Sequence, residues 1–105
     1  MRVEIHVTDW SVPYEYCVGG VQDENNEVVK DNVQARVGAG TPMNLGSGSY
    51  TYGFRVNRPA KLQLTAFKVE PEPGSDELTY TALEAPVDID AREHPDNQVF
   101  YFEVP

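Results

Sequence analysis

The chain has 105 residues, with eight Lys and Arg against seventeen Asp and Glu and a formal net charge of −9. That is the length of one domain, and 40% hydrophobic residues suffice for one two-layer core. The acidity, with no basic cluster, argues against binding to nucleic acid or anionic membrane, and no apolar run approaches the ~20 residues that cross a bilayer as a helix.

Val3, Ile5 and Val7 alternate with Glu4, His6 and Thr8, which predicts a half-buried first strand with His6 outward. The N-terminal stretch carries no long apolar core of a signal peptide, so the expectation is direct cytoplasmic synthesis, with a place in a virion or a secreted assembly still open. Trp10 precedes Ser11-Val12-Pro13, where the proline interrupts pairing. Tyr14, Tyr16 and Val18 then share one face of a second short strand, with Tyr16 expected in the core, and Gly19-Gly20 breaks it. Asp23-Glu24-Asn25-Asn26 reads as a polar turn. Val33, Ala35 and Val37 mark a third strand. Gly38 to Ser49 is a Gly- and Ser-rich loop anchored by Met43 and Leu45.

The most regular stretch follows. Tyr50, Tyr52, Phe54 and Val56 fall on one face of an extended strand, and Leu62, Leu64 and Ala66 on one face of the next. The connection contains Pro59, and the pair is expected to form a β-hairpin on which the other strands assemble. Phe67 and Val69 point off its apolar face. Glu70 to Glu77 is an acidic, proline-rich surface connection. Leu78, Tyr80 and Ala82 form another strand, Val87 and Ile89 a short one. Ala91 to Asn97 is a polar loop. The last strand, Gln98 to Val104, is apolar on both faces, with Val99 and Tyr101 on one and Phe100, Phe102 and Val104 on the other. Such a strand is central, or a partner covers one face.

Seven to eight short strands with frequent turn signals, and no helical period, predict an all-β fold in a single domain spanning residues 1–105. The expected architecture is an antiparallel β-sandwich, immunoglobulin-like or jelly-roll-like, with a partly open β-barrel as the alternative.

Little in the chain suggests catalysis. Cys17 is the one cysteine, so no intramolecular disulfide forms, and its mid-strand position suits packing. His6 and His94 lie far from it in sequence, and neither a nucleophile–base pair nor the spacing of a zinc site is present. The expectation is a protein that is not an enzyme.

Asp88 and Asp90 share one face of a strand end, and Asp96 is near enough to fold back toward them. Three carboxylates are the hard oxygen ligands that calcium takes. The Asp88-x-Asp90-x5-Asp96 spacing resembles the third calcium loop of C2 domains. The resemblance covers that loop alone and implies calcium ligation by the three aspartates. The competing reading is a solvated acidic loop in which Arg92 neutralises part of the charge.

Aromatic and apolar positions outside the expected core are Trp10, Tyr14, Phe67, Val69, Phe100 and Phe102, and these form the candidate binding surface. The leading expectation is therefore a non-catalytic interaction domain, a structural or accessory subunit of a larger assembly such as a virion surface or an appendage. It would act through a protein partner or self-association. The alternative is a carbohydrate-binding, lectin-like module using Trp10, Tyr14 and the Asp88–Asp96 loop with calcium.

Overall fold

A computed structural model describes residues 1–10 and 16–105. Among these the chain forms ten β-strands: β1 (Arg2–Trp10), β2 (Cys17–Gln22), β3 (Val28–Arg36), β4 (Ala39–Gly40), β5 (Met43–Asn44), β6 (Gly48–Val56), β7 (Lys61–Pro71), β8 (Leu78–Ala82), β9 (Val87–Asp90) and β10 (Gln98–Val104). Ten is more than the seven to eight expected; β4 and β5, only two residues long, lie in the stretch read as the Gly- and Ser-rich loop. The protein is all-β, with two antiparallel five-stranded sheets. The first has the order β5-β1-β7-β8, with β9 also paired to β7; the second runs β10-β6-β2-β3-β4.

The sheets bury one common core. Val3, Ile5 and Val7 of β1 and Leu62, Leu64 and Ala66 of β7 face Tyr50, Tyr52, Phe54 and Val56 of β6 and Phe100, Phe102 and Val104 of β10. Strict alternation gives each strand one apolar row, and burial of the rows drives the sheets together. Met43 and Leu45 anchor the loop between β3 and β6, as expected. On one flank the sheets meet through backbone. Val7 and Val37 form a parallel bridge, and Gly38 N–H donates to the Val7 carbonyl at 3.4 Å. A side chain at Gly40 would overlap the Ile5 carbonyl oxygen.

The expected hairpin is not one. β6 pairs with β10 and β2, while β7 pairs with β1, β8 and β9. Residues 57–60 carry the chain from one sheet to the other. Alternation cannot separate the two cases, because both connections place two apolar rows against the same core. The crossing is fastened at both ends to the loop before β10: Val56 N–H donates to the Pro95 carbonyl at 2.6 Å, and Ala91 N–H to the Ala60 carbonyl at 2.9 Å.

The second strand also differs. Gly19 and Gly20 lie inside β2, and Cys17 and Val21 supply its inward row, so Tyr16 is exposed. Its ring instead lies under the Arg36 guanidinium at 5.7 Å. Opposite Gly20, the ladder skips from Gly19↔Val33 to Val21↔Lys30. The bulge so formed holds Asp31 and Asn32, with Asn32 at φ 54°. The polar turn before β3 forms as read. Asp23 Oδ1 accepts from the N–H groups of Asn25 and Glu27 at 2.9 and 3.0 Å, and Asn26 takes the left-handed conformation that asparagine tolerates.

Cys17 is fully buried in this core. Burial disfavours the thiolate and pushes its pKa from the ordinary 9.0 up to about 12. Burial likewise raises the Tyr52 phenol, whose hydroxyl donates to the Val33 carbonyl at 2.8 Å. Above pH 9 the unfolded chain releases protons that the native state retains, so each group removes stability as pH rises toward its native value, by up to roughly 1.4 kcal/mol per pH unit. Denaturant midpoints are expected to fall steadily above pH 9. At about pH 8 the native thiol should resist iodoacetamide, and alkylation as fast as in the unfolded chain would contradict this burial.

Candidate binding surface

β10 answers the question left by its two apolar faces. Among the described residues it has a strand neighbour, β6, on one side only. Phe100, Phe102 and Val104 are buried in the core, whereas Val99 is 41% and Tyr101 70% exposed. Of the two expected contact aromatics here, Phe100 and Phe102, neither is at the surface. The parity of the strand turns them inward and turns Val99 and Tyr101 out.

The outer face of this sheet has an unusual feature beside Val99. Val99 pairs with Gly53, and Gly53 with Gly20. The cross-strand row Val99–Gly53–Gly20 therefore has two adjacent positions with no side chain. The flanking rows, Val18–Arg55 on one side and Gln22–Thr51–Tyr101 on the other, stand about 13 Å apart at ~3.3 Å per residue. The result is a shallow trough of ≈ 480 Å³, with Asp31, Asn32, Asp96 and Asn97 along its rim. The Asp31 carboxylate leans over Gly20, 3.4 Å from where a Cβ would sit, as the bulge in β3 aims it across β2.

The outer face of the other sheet holds a buried polar chain. Glu4 and His6 are successive outward residues of β1, yet they are only 4% and 5% exposed. Arg2 Nη2 donates to Glu4 Oε2 at 3.2 Å, and His6 Nε2 bonds Glu4 Oε1 at 3.0 Å. The His6 ring lies 4.8 Å from that of Phe67 and 5.1 Å from that of Tyr80. The outward placement of His6 holds, but these rings cover it. Phe67 is thus half-buried over the imidazole, and Val69 is buried, so Val69 is not a surface position. Trp10 pairs through its backbone with Leu62. Its side chain, and all of Tyr14, lie outside the described residues.

The three aspartates are not brought together. Asp88 accepts from Gln63 Nε2 at 2.8 Å. Asp90 is bound twice by Arg92, from Nε at 2.9 Å and Nη2 at 2.7 Å, and this guanidinium lowers the carboxyl pKa to about 2. Asp88 and Asp90 line an open cleft with Asp9, Lys61 and Gln63, whereas Asp96 borders the glycine trough. Among the described residues no three His, Cys, Asp or Glu side chains group as metal ligands.

No protein-family model matches the chain, and no curated protein or solved structure matches it. The trough escapes a search of the sequence for aromatics and carboxylates, because its defining feature is the lack of a side chain. Its signal is Gly53, the one outward position in the Tyr50–Val56 alternation that carries no side chain.

Proposed function

We propose that this chain is a non-catalytic β-sandwich interaction domain, with the two sheets packed face to face in an immunoglobulin-like or jelly-roll-like manner. It serves as a structural or accessory subunit of a larger assembly, such as a virion surface or an appendage. The observation that carries this reading is the edge formed by β10. It is seven residues long, has no strand on its outer side among the described residues, exposes Val99 and Tyr101, and holds Glu103 as its only charge. Edges of this kind invite another strand unless charge, proline or brevity blocks them. At the far edge of the same sheet, β4 is only two residues long. A non-catalytic role is supported by the buried, protonated thiol of Cys17 and by the engagement of His6 with Glu4 beneath two aromatic rings.

Edge pairing with a second copy is the form of contact to test first. Sedimentation velocity should show a dimer or higher oligomer at concentrations of ~100 μM, and Tyr101→Lys should weaken association by about tenfold. A strict monomer at those concentrations would overturn self-association. A second reading, a carbohydrate-binding module, is favoured by the trough beside Val99 and needs neither Trp10 nor the Asp88 and Asp90 carboxylates.

A further inference from the structure

We infer that the glycine trough on the outer face of the β10-β6-β2-β3-β4 sheet is a binding site for a neutral saccharide. This rests on the carbohydrate-binding reading and does not require edge pairing by β10, although both use Val99 and Tyr101.

Gly53 lies in the middle of β6. A glycine inside a strand costs stability, and it persists where a bulge, a bend or a close approach requires it. None of the structural reasons applies here. β6 runs in unbroken register with both β10 and β2 across this position. The backbone of Gly53 is not in the left-handed region, and a Cβ there would meet no atom within 4 Å. Its neighbour Gly19, by contrast, is required by contact with the Gly53 backbone. The remaining reason for a bare position at Gly53 is the approach of something from outside. Gly20, its partner across the ladder, also lacks a side chain, and the Asp31 carboxylate stands over it.

The chemistry of the walls points to the ligand class. Arg55, Asp31, Asn32, Asp96 and Asn97 converge on the trough. Among the described residues, their side chains make no hydrogen bond or ion pair. Together they offer donors from guanidinium and amides and acceptors from carboxylates and amides. A hydroxyl donates and accepts at once, so a polyol matches such a mixed rim. An anion would meet Asp31 and Asp96, and a cation would meet Arg55. A pyranose is flat enough to lie against two bare peptide units on strands ~4.8 Å apart. Val99 extends that floor, and the exposed Tyr101 ring gives its edge an aromatic face for C–H groups.

The test is a titration of the ¹⁵N-labelled chain with neutral sugars: glucose, galactose, mannose, N-acetylglucosamine, lactose, maltose and cellobiose. Binding is expected to be weak, in the millimolar range, because a shallow site buries little surface. The amide signals of Gly20, Gly53 and Val99 should shift for at least one sugar. Gly53→Val should weaken that binding by tenfold or more while leaving the melting temperature unchanged or raised, since the new side chain enters open space. Tyr101→Ala should weaken it as well. Shifts confined to Asp88–Asp90 or to Trp10 would overturn the trough while keeping the carbohydrate-binding reading. No shift with any sugar would overturn both, and so would shifts produced only by a cationic peptide. Sedimentation of Gly53→Val separates this test from edge pairing, because its oligomeric state should equal that of the parent chain.

Discussion

Gly19→Ala should be among the most damaging single-methyl additions in this protein, lowering its stability by about 3 kcal/mol or more. A Cβ at this position would overlap the Gly53 carbonyl oxygen and lie 2.6 Å from the Phe54 Cα. Both are backbone atoms in the middle of the β2–β6 ladder, so no side-chain rotation relieves the overlap. Either the ladder opens or both strands shift. Against a total stability of roughly 5–15 kcal/mol for a domain, that loss should be plain in the urea midpoint. Gly53→Ala is the control, because its methyl enters open space. A Gly19→Ala midpoint indistinguishable from that of Gly53→Ala would show that the close approach of the two strands is wrong.

His6→Ala should cost about 2–4 kcal/mol, far more than the loss of an outward strand residue normally does. The imidazole packs beneath the Phe67 and Tyr80 rings, which also meet each other edge to face, so its removal leaves a hole beneath them. It also removes a partner from Glu4, whose carboxylate is buried and retains only Arg2. Breaking a buried pair is worse than replacing both members, because the remaining charge stays desolvated. The double variant Glu4→Leu/His6→Leu should therefore recover much of what His6→Ala loses. If denaturation curves place His6→Ala within ~0.5 kcal/mol of the parent, as for an ordinary surface position, the buried polar chain is not a stability element.

Periodicity makes much of this fold legible in the amino-acid sequence. The inward rows of β1, β6, β7 and β10 fall where alternation puts them, and Asp23–Asn26 turns as its composition requires. Pairing is less legible. The connection at residues 57–60 has the same pattern whether the chain folds back within one sheet or crosses to the other. The parity of β2 is hidden because its inward row is Cys17, Gly19 and Val21, and Gly19 interrupts that row where Tyr16 and Val18 offer a competing apolar one. The bulge at Asp31–Asn32 and the contact of Gly19 with Gly53 set that parity, and both arise between strands. Burial of Glu4 and His6 is hidden for a similar reason, since the rings that cover them come from β7 and β8. The exposed pair Val99 and Tyr101 and the buried pair Phe100 and Phe102 stand out in the sequence as two faces, but which face meets the core is set by the register with β6, where Phe100 and Phe102 stand opposite Tyr52 and Tyr50.

The strand order also sets a sequence of events during synthesis. β2, β3 and β6 can assemble as soon as Val56 has emerged, because their partners lie close together in the chain. β1, although made first, has no long partner until Lys61–Pro71 arrives, since its ladder runs from Trp10↔Leu62 to Val3↔Lys68. Until then Val3, Ile5 and Val7 wait as an exposed apolar row. A topology so dominated by distant pairings folds on a scale of milliseconds to seconds. The interval in which this chain is most vulnerable to mispairing therefore ends with the completion of β7. β10 arrives last, onto a sheet whose other long strands are already in place.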